Sequence, residues 1–189
     1  QWTNPLTAPH TRHFVDVRSK QSCLDLVESV VKAHGRVDHL VNNAGISGAG
    51  LPPFEEATLA SWHKVMSINL DAVFLGTQKA VLLMKAGGGS IINLSSVMGL
   101  VGGAGAAYNA SKGGVRPLTK SVAVYCGTMG YNIRVNSVHP GYVWTPLVSS
   151  LVDVLDDGNM TEAGLREMLI ERHPIGRLGV AEDIARGIL

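Results

Sequence analysis

Along the chain, apolar positions switch between short unbroken runs and longer segments with helical spacing. The short runs are Phe14-Val15-Asp16-Val17, Val37 to Val41, Ile91-Ile92-Asn93-Leu94 and Ile133 to Val138, each of a length that suits a buried strand. Between them the period lengthens. Ser19 can cap a helix running to about His34 with Cys23, Leu24, Leu26, Val27, Val30 and Val31 on one side, and Gly35 ends it. Thr58 caps a long helix from about Leu59 to Lys85, whose apolar residues Trp62, Val65, Met66, Ile68, Leu70, Val73, Phe74 and Leu75 make a stripe too wide for a lone surface helix. Residues 106–127 form a second long helix, although Gly113, Gly114 and Pro117 are poor interior residues and Pro117 removes one backbone bond and is expected to kink it. Val148 to Glu171 reads as a helical lid broken at Asp157-Gly158-Asn159. Residues 1–12, with Pro5 and Pro9, read as a loose tail, Ile46 to Pro53 as a Gly/Pro loop, and the last residues as the start of a new helix.

Strands alternating with helices at these lengths pair in parallel through right-handed crossovers. The expected fold is α/β: a doubly wound parallel sheet with helices on both faces, a three-layer Rossmann-like arrangement spanning residues 13–189 as one domain. Ligands of such sheets lie along the carboxyl ends of the strands.

Composition narrows the function. With 46% hydrophobic and 16% charged residues the chain can build a sizeable core, and a formal net charge of +1 without a Lys/Arg block leaves no footprint for nucleic acid. The 22 glycines gather at strand ends, where backbone approaches a ligand. Cys23 and Cys126 fit no metal or redox spacing and read as free, buried packing thiols in a reducing compartment. His10 and His13 are the only histidines at ligand spacing and have no carboxylate nearby, so no metal site is expected. No apolar run reaches bilayer length and the amino terminus has no leader pattern, so no membrane partner and a cytoplasmic location are expected.

The chemistry gathers between Ser96 and Lys112. Ser96 follows an apolar strand, so its hydroxyl should emerge at a strand's carboxyl end, and Tyr108 and Lys112 are four apart on one helical face. A phenol titrates near 10, and a cation beside it favours the phenolate, so the pair reads as a proton-transfer device. Tyr-x-x-x-Lys alone would occur by chance in roughly one chain in three of this length. Its company carries the signal: Asn42-Asn43-Ala44-Gly45 after a strand, with a chance expectation of about two in a thousand, Asn69 inside a helix, and Pro140-Gly141 after another strand.

In this order the set resembles the short-chain dehydrogenase/reductase family, from about His13 to the last residue. The resemblance implies an Asn-Ser-Tyr-Lys tetrad, here Asn69, Ser96, Tyr108 and Lys112, acting with a nicotinamide dinucleotide, NAD or NADP with NAD favoured. Tyr108 would be the general base, Ser96 would hold the substrate oxygen, Lys112 would tune the phenol and bind the nicotinamide ribose, and the Asn69 amide would bind a water leading to Lys112. Asp16 and Val17 match the motif at the adenine end, and Asn43, Ala44 and Gly45 the approach to the adenosine ribose. Pro140, Gly141, Val143 and Thr145 match the loop that orients the nicotinamide carboxamide.

The local wording Tyr108-Asn109-Ala110-Ser111-Lys112 looks like members that interconvert simple secondary alcohols or hydroxysteroids with ketones. The family also implies a homodimer or homotetramer through the helices matching 59–85 and 106–126. Residues 1–15 do not resemble the family's opening strand and Gly-rich turn. The chain is therefore expected to be truncated at both ends, lacking the first βαβ unit and the last strand, and a catalytically silent packing module is the alternative function. Ser96 and Tyr108 are one residue closer than usual, a difference the loop 102–105 would absorb.

Overall fold

Residues 10–48, 53–103, 105–155 and 160–189 are described by the computed structural model. The interruption expected at Asp157-Gly158-Asn159, most of the tail 1–12, residues 49–52 and Ala104 lie outside them.

Helix α1 (Lys20–His34) starts where expected, the Ser19 hydroxyl accepting from the Ser22 N–H, and stops at Gly35, which takes a φ of 77° that side-chain-bearing residues avoid. β1 (His39–Asn42) follows, two residues later than the apolar run suggested. The long helix expected over 59–85 is three pieces: α2 (Leu59–Met66), a π-helical turn (Ser67–Asp71) and α3 (Ala72–Met84). Thr58 and Ser61 close a reciprocal capping box at its start. β2 (Gly89–Leu94), a short 3₁₀ turn (Val97–Gly99), α4 (Ala106–Thr128) and β3 (Ile133–Val138) complete the core, with Pro117 carried inside α4. The segment expected as a broken helical lid holds, among the described residues, α5 (Pro146–Ser149), α6 (Leu151–Leu155) and α7 (Glu162–Glu171), followed by α8 (Ala181–Ile188). No described helix is long and apolar enough to cross a membrane.

The three strands form a parallel sheet in the order β1-β2-β3, with His39 opposite Ser90 and Gly89 opposite Ile133. Two crossovers stepping the same way place α3 and α4 on one face. There Ala80, Met84, Ile91, Cys126, Ile133 and Val135 form the main core. On β2, Ile91 and Asn93 point to that face while Ile92 and Leu94 point to the other, and all four are buried, so the central strand is covered on both sides. The expected doubly wound arrangement is therefore present. A second cluster of Leu165, Leu169 and Leu178 joins α7 to Tyr142, Trp144 and Val148.

One expected strand does not form. Residues 14–17 join no strand: Phe14 is fully exposed, the Asp16 N–H donates to the Ser22 hydroxyl, Ser19 N–H turns back to the Asp16 carbonyl, and the Asp16 carboxylate accepts from the Arg18 backbone and guanidinium. An apolar run becomes a strand only when a neighbouring edge takes its backbone groups, and the sheet pairs β1 with β2 alone. Cys126 is buried as expected, but Cys23 is only half-buried.

Candidate active site

Ser96, Tyr108, Lys112 and Asn69 come from a strand end, one helix and a π-helical turn, and the fold brings them together after β2. Ser96 is extended and caps the 3₁₀ turn, its hydroxyl accepting from the Met98 N–H at 3.1 Å. Lys112 is 4% exposed, and its Nζ donates to the Leu94 carbonyl at 2.8 Å. Its own carbonyl accepts from the Ser95 hydroxyl at 2.7 Å. The turn after β2 and α4 are thus stitched twice at one residue. Gly99 makes this approach possible, since a Cβ there would fall 2.6 Å from the Lys112 carbonyl oxygen.

The charge relation between Tyr108 and Lys112 departs from expectation. Lys112 Nζ lies 5.8 Å from the centroid of the Tyr108 ring. The phenol is nonetheless held above its ordinary pKa, because burial outweighs the opposing hydrogen bond from Ser96, with Tyr142 adding to the rise. Burial also lowers Lys112, to about 8. Sequence spacing placed the two on one face, but burial is the largest influence on the pKa of each.

Asn69 is fully buried in the π-helical turn. Its Oδ1 accepts from the Ile46 N–H at 2.9 Å, and its Nδ2 donates to the Ile46 carbonyl at 2.9 Å and to the Ser111 hydroxyl at 3.2 Å. Ser111 donates in turn to the Tyr108 carbonyl at 2.8 Å. Both amide hydrogens are spent on protein, so the side chain clamps the loop after β1 to α4, while its Oδ1 keeps a second lone pair. The wider turn is what lets an amide within a helix reach two backbone groups of another segment.

A buried polar chain that sequence reading missed runs beneath the site. Asn42 Nδ2 donates to Asn93 Oδ1 at 2.8 Å and lies 3.2 Å from the Thr77 hydroxyl, while Asn93 Nδ2 donates to the Thr119 hydroxyl at 3.1 Å. It ties β1 and β2 to α3 and α4. The signal was a polar residue inside the apolar run Ile91 to Leu94, since a buried amide must find partners.

The cofactor positions divide into two groups. Val17, Asn43 and Ala44 line one largely apolar cavity of about 280 Å³ between α1, β1 and α3. None of Ser96, Tyr108 and Lys112 lines it, so it is separate from the reacting groups. Asp16 is engaged by Arg18 at 2.7 Å, which holds its carboxyl at about 2. Gly45 leads from the cavity to the tetrad: a Cβ built on it would lie 3.4 Å from both Asn69 Oδ1 and Lys112 Nζ. At the other end, the Pro140 carbonyl accepts from the Val97 N–H at 2.8 Å, and Val143 forms an isolated parallel bridge with Gly179. That bridge uses the Tyr142 carbonyl and the Trp144 N–H, so the N–H and C=O of Val143 point away from Gly179, and its C=O accepts from the Thr145 hydroxyl at 3.2 Å. An uncrowded backbone at Gly45 beside a buried ammonium, with a second backbone strip at Val143, fits a flat, polar-edged dinucleotide.

A family model described as enoyl-(acyl carrier protein) reductase matches residues 4–189. The NADP-dependent (R)-specific alcohol dehydrogenase of Lentilactobacillus kefiri is 41% identical over 175 residues, 90% of this chain and 64% of that protein. The trans-4-hydroxycyclohexanecarboxylate dehydrogenase of Sinomonas cyclohexanicum is 49% identical over 138 residues, 72% of this chain and 52% of that protein. The crystal structure of levodione reductase superposes with a TM-score of 0.84 at 37% identity, covering 92% of this chain and 66% of that one. The chain thus spans between about half and two thirds of the length of these relatives.

Proposed function

The chain belongs to the short-chain dehydrogenase/reductase family, and on that premise we propose that its protein interconverts a secondary alcohol and a ketone with a nicotinamide dinucleotide. The observation that carries this reading is the half-buried Tyr108 phenol with the Lys112 Nζ 5.8 Å from its ring centroid, Lys112 being bonded to the end of the strand that leads to Ser96. When bound, the dinucleotide supplies or accepts the hydride. Ser96 and Tyr108 hold the substrate oxygen between two hydroxyls, and Tyr108 gives it a proton in ketone reduction or takes one in alcohol oxidation. Held above its ordinary pKa near 10, the phenol is protonated near neutrality, the form that reduction needs. Lys112, fixed to the end of β2, faces the phenol on one side and Gly45 on the other, where it would hold a ribose. Asn43, Ala44, Gly45 and Val17 would take the adenosine side, and Pro140, Gly141, Val143 and Thr145 the nicotinamide side.

The substrate class we favour is a small alcohol or ketone, including ring-bearing ones, in keeping with relatives named cyclopentanol dehydrogenase and levodione reductase. Exposed Phe74 and Leu82 on α3 and Val124 and Tyr125 on α4 support self-association through these helices. The test is a titration of the full-length protein with NADH and NADPH, followed by turnover on small cyclic and acyclic ketones. The choice between the two dinucleotides is read from their dissociation constants. Absence of binding and turnover with both would favour a silent packing module.

A further inference from the structure

The loop from Pro140 to Thr145 is held by a residue outside the tetrad. His173 follows α7 directly, half-buried, and its two ring nitrogens serve two different segments. Nδ1 lies 2.8 Å from the Leu169 carbonyl in the last turn of α7, which also accepts from the Arg172 N–H at 3.3 Å. Nε2 accepts from the Tyr142 N–H at 3.1 Å. A carbonyl on one side and an N–H on the other fix the tautomer: the proton is on Nδ1, and the ring is the neutral imidazole. Tyr142 packs its ring edge-on against His173, with centroids 5.7 Å apart, and a Cβ on Gly141 would fall 2.6 Å from Nε2. The opposite side of the same loop is zipped to Gly179 through Tyr142 and Trp144.

We infer that His173 is a positioning residue for the dinucleotide: by accepting the Tyr142 N–H it fixes the Gly141–Tyr142 peptide plane that leads into the Val143 strip, and it couples that strip to the end of α7. This rests on the proposed function, because the strip is assigned to the nicotinamide side there. The loop has one bond to Gly179 on each side of Val143, and without a second anchor it can pivot about that bridge. The imidazole supplies the anchor, and the lid helix and the dinucleotide loop then move as one body.

Two variants of the full-length protein separate this from a packing role. His173→Phe keeps a ring but no acceptor, and His173→Gln restores an oxygen near the position of Nε2. In His173→Phe, hydrogen exchange of the Tyr142 amide should accelerate and the dissociation constant for the reduced dinucleotide should rise, each by about tenfold, the scale set by one lost hydrogen bond. His173→Gln should return both to within about threefold of the parent. Unchanged Tyr142 exchange in His173→Phe, or no recovery in His173→Gln, overturns the inference. If the parent protein binds neither NADH nor NADPH, the proposed function falls instead, and the exchange measurement still decides whether His173 holds the loop.

Discussion

The Lys112 ammonium reaches across from α4 to the carbonyl of Leu94, the last residue of β2, at 2.8 Å. Because Ser96 stands two residues beyond Leu94 and Tyr108 one helical turn before Lys112, this bond sets the separation of the two hydroxyls. It holds a cation in a site that has excluded most of its water. Desolvation, rather than the phenol, is what acts on its pKa.

Tyr108→Phe is expected to remove at least about three orders of magnitude from turnover, the usual scale of a positioned proton donor, while dinucleotide affinity stays near that of the parent. Steady-state kinetics alongside fluorescence titration check it. In the parent, alcohol oxidation should rise with pH, because burial raises the phenol's pKa and oxidation needs the phenolate. Ketone reduction should not rise.

Lys112 also makes stability depend on pH. Its pKa falls from 10.5 to about 8 on folding, so between these values the unfolded chain binds more protons than the native one. Stability from this group therefore rises with pH across that window, and the full burial penalty, on the order of 3 kcal/mol, applies below it. Denaturation of the parent and of Lys112→Met at pH 7 and pH 10 should show the parent gaining on the variant. A constant difference would contradict the shift.

Asn69→Ala removes three hydrogen bonds and leaves the Ile46 N–H and C=O without their buried partner. The expected loss is roughly 2–4 kcal/mol, seen as a thermal midpoint lower by several degrees. A midpoint within about one degree of the parent would show that water replaces the amide at little cost.

Gly99→Ala inserts a methyl against the backbone of Lys112 with no flexible side chain to yield. The turn after β2 must shift, and Ser96 with it. Turnover should fall by about tenfold or more, the scale of a small displacement in a reacting geometry, with a lowered thermal midpoint. Circular dichroism melts and kinetics on the same preparation measure both.

Pro117 is exposed in α4, more than a turn beyond Lys112, and leaves one helix carbonyl without its backbone bond. Pro117→Leu should raise the thermal midpoint, at about 2–4 °C per kcal/mol recovered for a chain of this size. A lowered midpoint would mean that the bond lost to proline is offset by a contact the leucine breaks.

Local pattern alone determined much of this protein. The run at Ile91 became a strand buried on both faces and that at Ile133 a strand with Ile133 and Val135 buried and Arg134 and Asn136 exposed, Ser19, Gly35 and Thr58 set helix ends through their own hydroxyls or φ, and four-residue spacing put Tyr108 and Lys112 on one side of α4. These features depend on neighbours within a few residues of the chain. What tertiary structure decided involves partners 18 to 42 positions away: Lys112 on Leu94, Asn69 on Ile46 and Ser111, His173 on Tyr142. It also decided that residues 14–17 are no strand, since their apolar run carries no information about a partner edge. Raising the phenol's pKa is the same kind of outcome. Spacing reports that a cation is near, but only the packed site fixes how much water both groups lose, and at Tyr108 that loss is the larger effect.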